Sequence, residues 1–167
     1  MDSIGKVAGI LISVVLLFFA PLLMMAQKQE MMMESYVFSK TAYLLEHIKS
    51  NGYLSKQMYE QYERQLSLTG FLYEIQMEHE YATYYLDEKG QYQKQYKKQY
   101  EEDMLEQIYS EEERYVMQRG DFFSVKVVSK SKGLAGKMKE RLLLLYQEEP
   151  AIFVELGGMI RDEATGL

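Results

Sequence analysis

The sequence predicts an α+β protein: an N-terminal transmembrane helix continues into an amphipathic helix, followed by a small head with an antiparallel sheet of about three strands and flanking helices. Three observations predict it: a charge-free apolar run near the start, apolar residues at helical spacing directly after it, and a switch to two-residue alternation beyond Gly70. The 167 residues are 47% hydrophobic and 26% charged with only 2 Pro and 11 Gly, which excludes a disordered or collagen-like chain. With 0 Cys there is no disulfide framework, thiolate nucleophile or cysteine zinc site. A net charge of -6 argues against a nucleic-acid partner, which needs a basic surface to meet phosphates.

The first element is the run VAGILISVVLLFFAPLLMMA, Val7 to Ala26, 20 residues without a charge. At about 1.5 Å per residue it covers about 30 Å, the thickness of a bilayer's hydrocarbon core. Only Asp2 and Lys6 are charged before residue 27, so the remainder of the chain carries the whole -6 and an apolar span tethers an acidic domain. A secretory signal would have a shorter apolar core and a small residue three positions before the cut, where Met24 stands ahead of Ala26. A helix apolar on every side would also be hard to bury in so small a domain. A retained single-pass anchor in the cell membrane is the expectation. The flanking charges give no orientation, with Lys6 and Asp2 on one side and Lys28 and Lys40 on the other. A short tail ahead of a large C-terminal domain leads us to expect the head on the outer face. Pro21 removes a hydrogen bond to the carbonyl of Leu17, so a kink or local unwinding is expected there. Gly5, Ala8 and Gly9 form a small surface on which another helix can approach closely. The organisation is thus a tail and transmembrane helix over residues 1–26, a helical stalk over 27–50, and an extracytoplasmic α+β head over 51–167.

In the stalk, Val37, Thr41, Leu44, Leu45 and Ile48 fall on one helical face that can pack on the head. The methionines at 24, 25 and 31 to 33 suit adaptable packing against lipid or a neighbouring helix better than copper(I) coordination. After Asn51-Gly52, Ser55 caps a second helix with Met58, Tyr62 and Leu66 on one side, ending at Thr69-Gly70. FLYEIQMEHEY, Phe71 to Tyr81, alternates apolar and polar residues as a half-buried strand does. Tyr92, Tyr96, Tyr100, Met104 and Ile108 recur every four residues and predict a helix facing the sheet or a neighbouring subunit. FFSVKVVSK, from Phe122, is a second strand. Lys130 to Tyr146 reads as a helix, although LLLLY also suits a strand, and AIFVELGGMIRD after Pro150 is a third strand with Gly157-Gly158 marking a bulge or close backbone approach.

Reactive constellations are sparse. His79 lies on the apolar parity of its strand between Glu78 and Glu80, where a packed histidine is the ordinary reading and a proton relay the sharper one. His47 is expected to be exposed. The sequence has no GxSxG, no phosphate-cradling glycine loop and no HExxH, so we expect no catalytic residue, cofactor, metal or small-molecule substrate. Lys126, Lys130, Lys132, Lys137, Lys139 and Arg141 form a basic run that suits an acidic partner, a phosphate-rich wall polymer or lipid headgroups, or else a solvated face.

Four passages carry a resemblance: IKSNGYL (Ile48 to Leu54) leading to Tyr59 and Leu66, TGFLYEIQM (Thr69 to Met77), GDFFSVKV (Gly120 to Val127) and GGMIR (Gly157 to Arg161). Together with the anchor and stalk they resemble the pilin-like subunits of type IV filaments and related secretion machines, and most of all the minor-pilin or TadE-like components of tight-adherence pili. The resemblance implies a non-catalytic protein that assembles with other pilin-like or secretion-machine subunits through its N-terminal helix. Prepilins have a Gly followed five residues on by Glu, whereas here Gly5 is followed by Ile10 and Gly9 by Val14, which points to an accessory rather than a main filament subunit. The competing class is a membrane-tethered binding or regulatory module of a cell-envelope or sporulation complex.

Overall fold

A computed structural model describes residues 2–87, 90–143 and 150–163. Helix α1 (Asp2–Asn51) is a single element of 50 residues that runs unbroken through Pro21, so the local unwinding expected there is not seen. Its two halves live in different surroundings. Among the described residues this is the one helix long and apolar enough to cross a membrane, and none of its most apolar window is buried by the rest of the chain. From Ala26 onward the helix joins the head: Ala26, Val37, Thr41, Leu44, Leu45 and Ile48 are all buried. Burying four large aliphatic side chains stabilises a fold by roughly 6–12 kcal/mol at most, which is comparable to the whole stability of a domain this size. The head is therefore built on α1 rather than beside it.

The end of α1 is closed by backbone from the far end of the chain. Gly52, at φ +72, returns its N–H to the Ile48 carbonyl, and the amides of Arg161, Asp162 and Glu163 donate to the carbonyls of Lys49 and Ser50 at 2.8–3.0 Å. These bonds satisfy carbonyls that a helix terminus otherwise leaves without partners. Arg161 adds an ion pair to Glu46 at 2.7 Å.

Beyond Gly52 come β1 (Tyr53–Ser55) and α2 (Lys56–Ser67), whose N-cap is Ser55, accepting from the Met58 amide at 3.3 Å. Tyr59, Tyr62 and Leu66 of α2 are buried; Tyr62 donates to the Thr41 hydroxyl at 2.7 Å while Thr41 donates back to the Val37 carbonyl. Then follow β2 (Tyr73–Leu86), β3 (Tyr92–Tyr100), α3 (Glu101–Ile108), β4 (Arg114–Val116), β5 (Phe122–Ser129), α4 (Leu134–Leu143) and β6 (Phe153–Met159). The main sheet is antiparallel with order β3-β2-β5-β6, and β1 pairs with β4 in a separate two-stranded ribbon. Four main strands thus stand where about three were expected, in an arrangement compatible with the α+β class. Met77, Phe123, Val125, Val127 and Val154 line the sheet's inner face against α1.

The additional strand comes from the tyrosine ladder. Residues four apart share a face on a helix, but they also share a face on a strand, whose period is two. Tyr92, Tyr96 and Tyr100 lie on the outer face of β3, and only Met104 and Ile108 sit on a helix, α3, which begins with Glu101, Glu102 and Asp103 near its positive end. The helix expected from Lys130 starts at Leu134, and Leu144 to Tyr146 lie outside the described residues. At Gly157 and Gly158 the register is regular, so there is no bulge, but a Cβ would meet the Phe122 ring or the Lys49 side chain at 2.9 Å, the close approach that glycine allows.

At the end nearest the apolar span the head is clasped to α1 by Glu30. Its carboxylate accepts from the Ala135 amide at 2.8 Å in the first turn of α4, where an anion is favoured, and it comes so near Gly133 that a Cβ there would lie 1.9 Å from Oε1. Either Glu30→Ala or Gly133→Ala should therefore cost about 1 kcal/mol. Because both remove the same bond, the double variant should be little worse than either single one, which a double-mutant cycle of melting temperatures will check.

Candidate functional site

Three places bear on function: the anchor, the basic run and a buried polar network around His79. On the anchor, Gly5 and Gly9 have nothing within 4 Å of where a Cβ would stand. Ser13 lies one turn beyond Gly9 and donates to its carbonyl at 2.8 Å. Ala8 is likewise exposed. An apolar groove of about 540 Å³ passes along Gly9, Ser13, Val14 and Leu17, bounded by Lys6 and Phe18. Pro21 is exposed further along the helix. Met24, Met25, Met31 and Met32 are also exposed, while Met33 packs against the core.

The basic run is spread over β5, the connection after it and α4. Lys126 lies on the outer face of β5 with its ammonium 5.8 Å from the Phe153 ring centroid, and Lys130 pairs with Glu74 at 3.4 Å. Lys132 pairs with Glu140 at 2.9 Å, and Lys137, Lys139 and Arg141 belong to α4. Lys132 and Lys137 line one small cavity with Ala26 and Glu30, so these two cations stand close to where the charge-free span ends.

His79 is buried, as its parity requires, whereas His47 is exposed. Nε2 of His79 lies 3.0 Å from Asp121 Oδ2 and Nδ1 lies 2.7 Å from the Tyr115 hydroxyl, which also meets Gln99 Oε1. Asp121 is fixed by the Gln118 amide at 2.7 Å, and Tyr81 stacks on the imidazole at 5.2 Å. A carboxylate only accepts, so Nε2 carries a proton. A neutral ring then takes the Tyr115 proton at Nδ1 and requires the Gln99 amide to turn its NH2 to the phenol. A charged ring donates at both nitrogens and leaves the Tyr115 proton for Gln99. Burial pushes the Tyr115 hydroxyl above its ordinary range, keeping it protonated. Both imidazole nitrogens are engaged, so neither is turned toward the adjoining cleft of about 370 Å³. The network joins β2, β3, β4 and the turn before β5. Its hydrogen-bonded side chains stand 16 to 42 positions apart in the chain, so alternation reveals His79 but not Tyr115, Gln99 or Asp121.

A second polar contact lies just past the same end of β3, at the start of α3. Tyr59 donates to Glu101 at 3.1 Å, yet burial raises the Glu101 carboxyl, and the negative charges of Glu63, Glu74 and Glu102 raise it further against the pull of that bond. Among the described residues no grouping of three or more His, Asp or Glu is arranged to hold a metal ion. No family model, curated protein or solved structure matches this chain.

Two outcomes follow from these contacts. His79→Ala leaves Asp121 and Tyr115 without their shared partner and should cost about 2–3 kcal/mol, read as a lowered denaturation midpoint. Glu101 is harder to ionise folded than unfolded, so its ionisation opposes folding: the penalty is absent below the unfolded pKa and complete above the folded one. Glu101→Gln should then stabilise the protein at about pH 7 and leave it unchanged at about pH 3, a difference that paired melts at the two pH values will show.

Proposed function

We propose that this protein is a membrane-anchored, pilin-like accessory subunit that acts by assembly, its N-terminal helix meeting other subunits of a tight-adherence or type IV-type pilus or related secretion machine. The observation that carries the reading is α1 itself: one continuous helix whose first half is apolar and unburied and whose second half is the core of the head. A head fused in this way to its anchor transmits force and position along the helix, which a flexibly tethered module does not. The small surface of Gly5, Ala8 and Gly9 supports helix-to-helix contact within the membrane. Lys132 and Lys137 beside the span's end suit headgroup phosphates, in keeping with a head seated on the membrane's outer face. In this reading no catalytic step is involved.

The second reading, a tethered binding or regulatory module, is favoured by the exposed tyrosines of β3, which offer a stacking surface. A secretion ATPase and a polytopic membrane protein encoded beside this chain would favour the pilus reading. The direct test is Gly9→Leu, which fills the small surface but leaves the head untouched. It should reduce in-membrane crosslinking to partner subunits by about tenfold, together with pilus or secretion output, while head stability is unchanged. Full crosslinking and full function in a folded Gly9→Leu protein would sink the proposal.

A further inference from the structure

The main sheet is offset. β5 pairs with residues 73–80 of β2, whereas β3 pairs with residues 78–86, so the two neighbours overlap along only three positions. The offset leaves two unfinished edges. At one end, where the chain turns from Tyr100 into α3, residues 73–77 of β2 pair with no strand on the β3 side among the described residues, although α3 touches β2. At the other end, residues 81–86 of β2 and their β3 partners project beyond β5 as a two-stranded arm, six residues or about 20 Å long. Because Glu30 lies beside Gly133 and Lys49 beside Gly158, β2 runs away from the membrane side of α1, and the arm points outward from it.

The two edges are complementary in charge as well as in length. An open groove of about 920 Å³ follows the bare edge and continues onto the outer face of the sheet; its walls include Glu63, Glu74, Glu78, Glu101, Glu102 and Glu155, against Lys126 and Lys130. Among the described residues no ion pair reaches Glu63, Glu102 or Glu155. Burial raises the Glu101 carboxyl, and the negative charges of Glu63, Glu74 and Glu102 raise it further. β3, in contrast, has no acidic residue; its Lys98 is taken up by Glu78 and Glu80 of β2, but Lys94 and Lys97 stand in the arm, and among the described residues no strand pairs with its outer edge. Lysines on an edge strand ordinarily block edge-to-edge pairing. Here they oppose β3 pairing with β3 while leaving one acceptable neighbour, an acidic edge.

We infer that the bare edge of β2 is the docking site for the β3 arm of a second copy of this chain, which completes the sheet by strand addition. The contact is head to tail, since different surfaces meet, and it leaves a free arm and a free groove at the two ends of any row of copies. Arm and groove lie about 30 Å apart along β2, so the two copies are staggered along the anchor direction rather than level with one another. A stagger of this size matches the thickness of the hydrocarbon core, so the contact belongs to copies that are not level in one bilayer, and it does not depend on the anchor-mediated assembly proposed above.

The test uses the full-length protein in detergent micelles, where copies are free to stagger. The chain has 0 Cys, so Gln76→Cys in the groove and Gln95→Cys on the arm each introduce a single thiol. On mild oxidation a mixture of the two variants should give the disulfide heterodimer in about tenfold excess over either homodimer, and the excess should fall as salt is raised. Adding Lys94→Glu and Lys97→Glu to the arm variant should abolish the excess. Adding Glu63→Lys and Glu102→Lys to the groove variant should restore it with the reversed arm, an outcome that misfolding cannot produce. A heterodimer no more abundant than the homodimers, an excess indifferent to charge reversal, or failure of the reversed pair to recover would overturn the inference. With Gly9→Leu present in both chains the heterodimer should persist; its disappearance would assign the association to the anchor and overturn the arm contact.

Discussion

The buried stripe of α1 from Val37 to Ile48 is the constraint on which the rest of the molecule depends. A 50-residue helix does not persist as a fully exposed rod for propensity reasons alone; its outer half needs tertiary packing, and its other half needs an apolar phase. The sheet supplies the first, with Phe123, Val125, Val127 and Val154 set against the stripe. Once that packing is in place the head has no freedom relative to the anchor. Clasps at both ends reinforce it: Glu30 holds the start of α4, and the amides of residues 161–163 close the last turn. From Ala26 to Asn51 the helix rises by about 38 Å, so the far end of the head stands at a set height above the end of the apolar span.

Much of this was legible in the sequence because it rests on local periodicity. The stripe, the Ser55 cap and the alternation through Phe71 to Tyr81 are each written within one turn or one pleat of the residues concerned, and all are found. The tyrosine ladder shows where periodicity fails. A four-residue repeat satisfies a helix and a strand equally, and what decides between them is pairing with β2, which sets Glu78 opposite Tyr100, 22 residues further on. The polar partners were hidden for a related reason. Nothing near His79 in the chain announces Asp121 or Tyr115, because the turn before β5 and the short β4 meet β2 only after the sheet has formed. Glycines carried a partial signal: Gly157-Gly158 marks a close approach, whereas Gly133 has no sequence feature linking it to Glu30, more than 100 residues away.

Stability and interaction are also separated in space. The inner face of the sheet is apolar and closed by α1, and the His79 network seals one of its margins with hydrogen bonds that engage every strong polar group it contains. The outer face is different in kind. Its cross-strand pairs are charged or aromatic, such as Lys98 with Glu78 at 2.7 Å, and pairs of this sort at the surface contribute little to holding a fold together. Their residue types are under less constraint from folding, so their distribution informs about what meets the surface.

The offset of β3 is the one departure from an evenly matched sheet, and its consequences are physical. An isolated two-stranded hairpin is marginal in water, so an arm of tyrosine, glutamine and lysine would fray unless β2 were held elsewhere. β2 is held, because residues 73–80 are paired with β5 in the body of the sheet and the arm continues the same strand without a break. Sliding β3 five residues along β2 to cover the bare edge would remove both the arm and the gap, and it would also carry Gln99 out of reach of Tyr115. Since a strand slipped by an odd number of residues turns every side chain to the opposite face, that slide would also drive Tyr92, Tyr96 and Tyr100 toward the side occupied by His79 and Met77. The polar network therefore fixes the register of β3, and through that register it maintains both the exposed arm and the uncovered edge of β2.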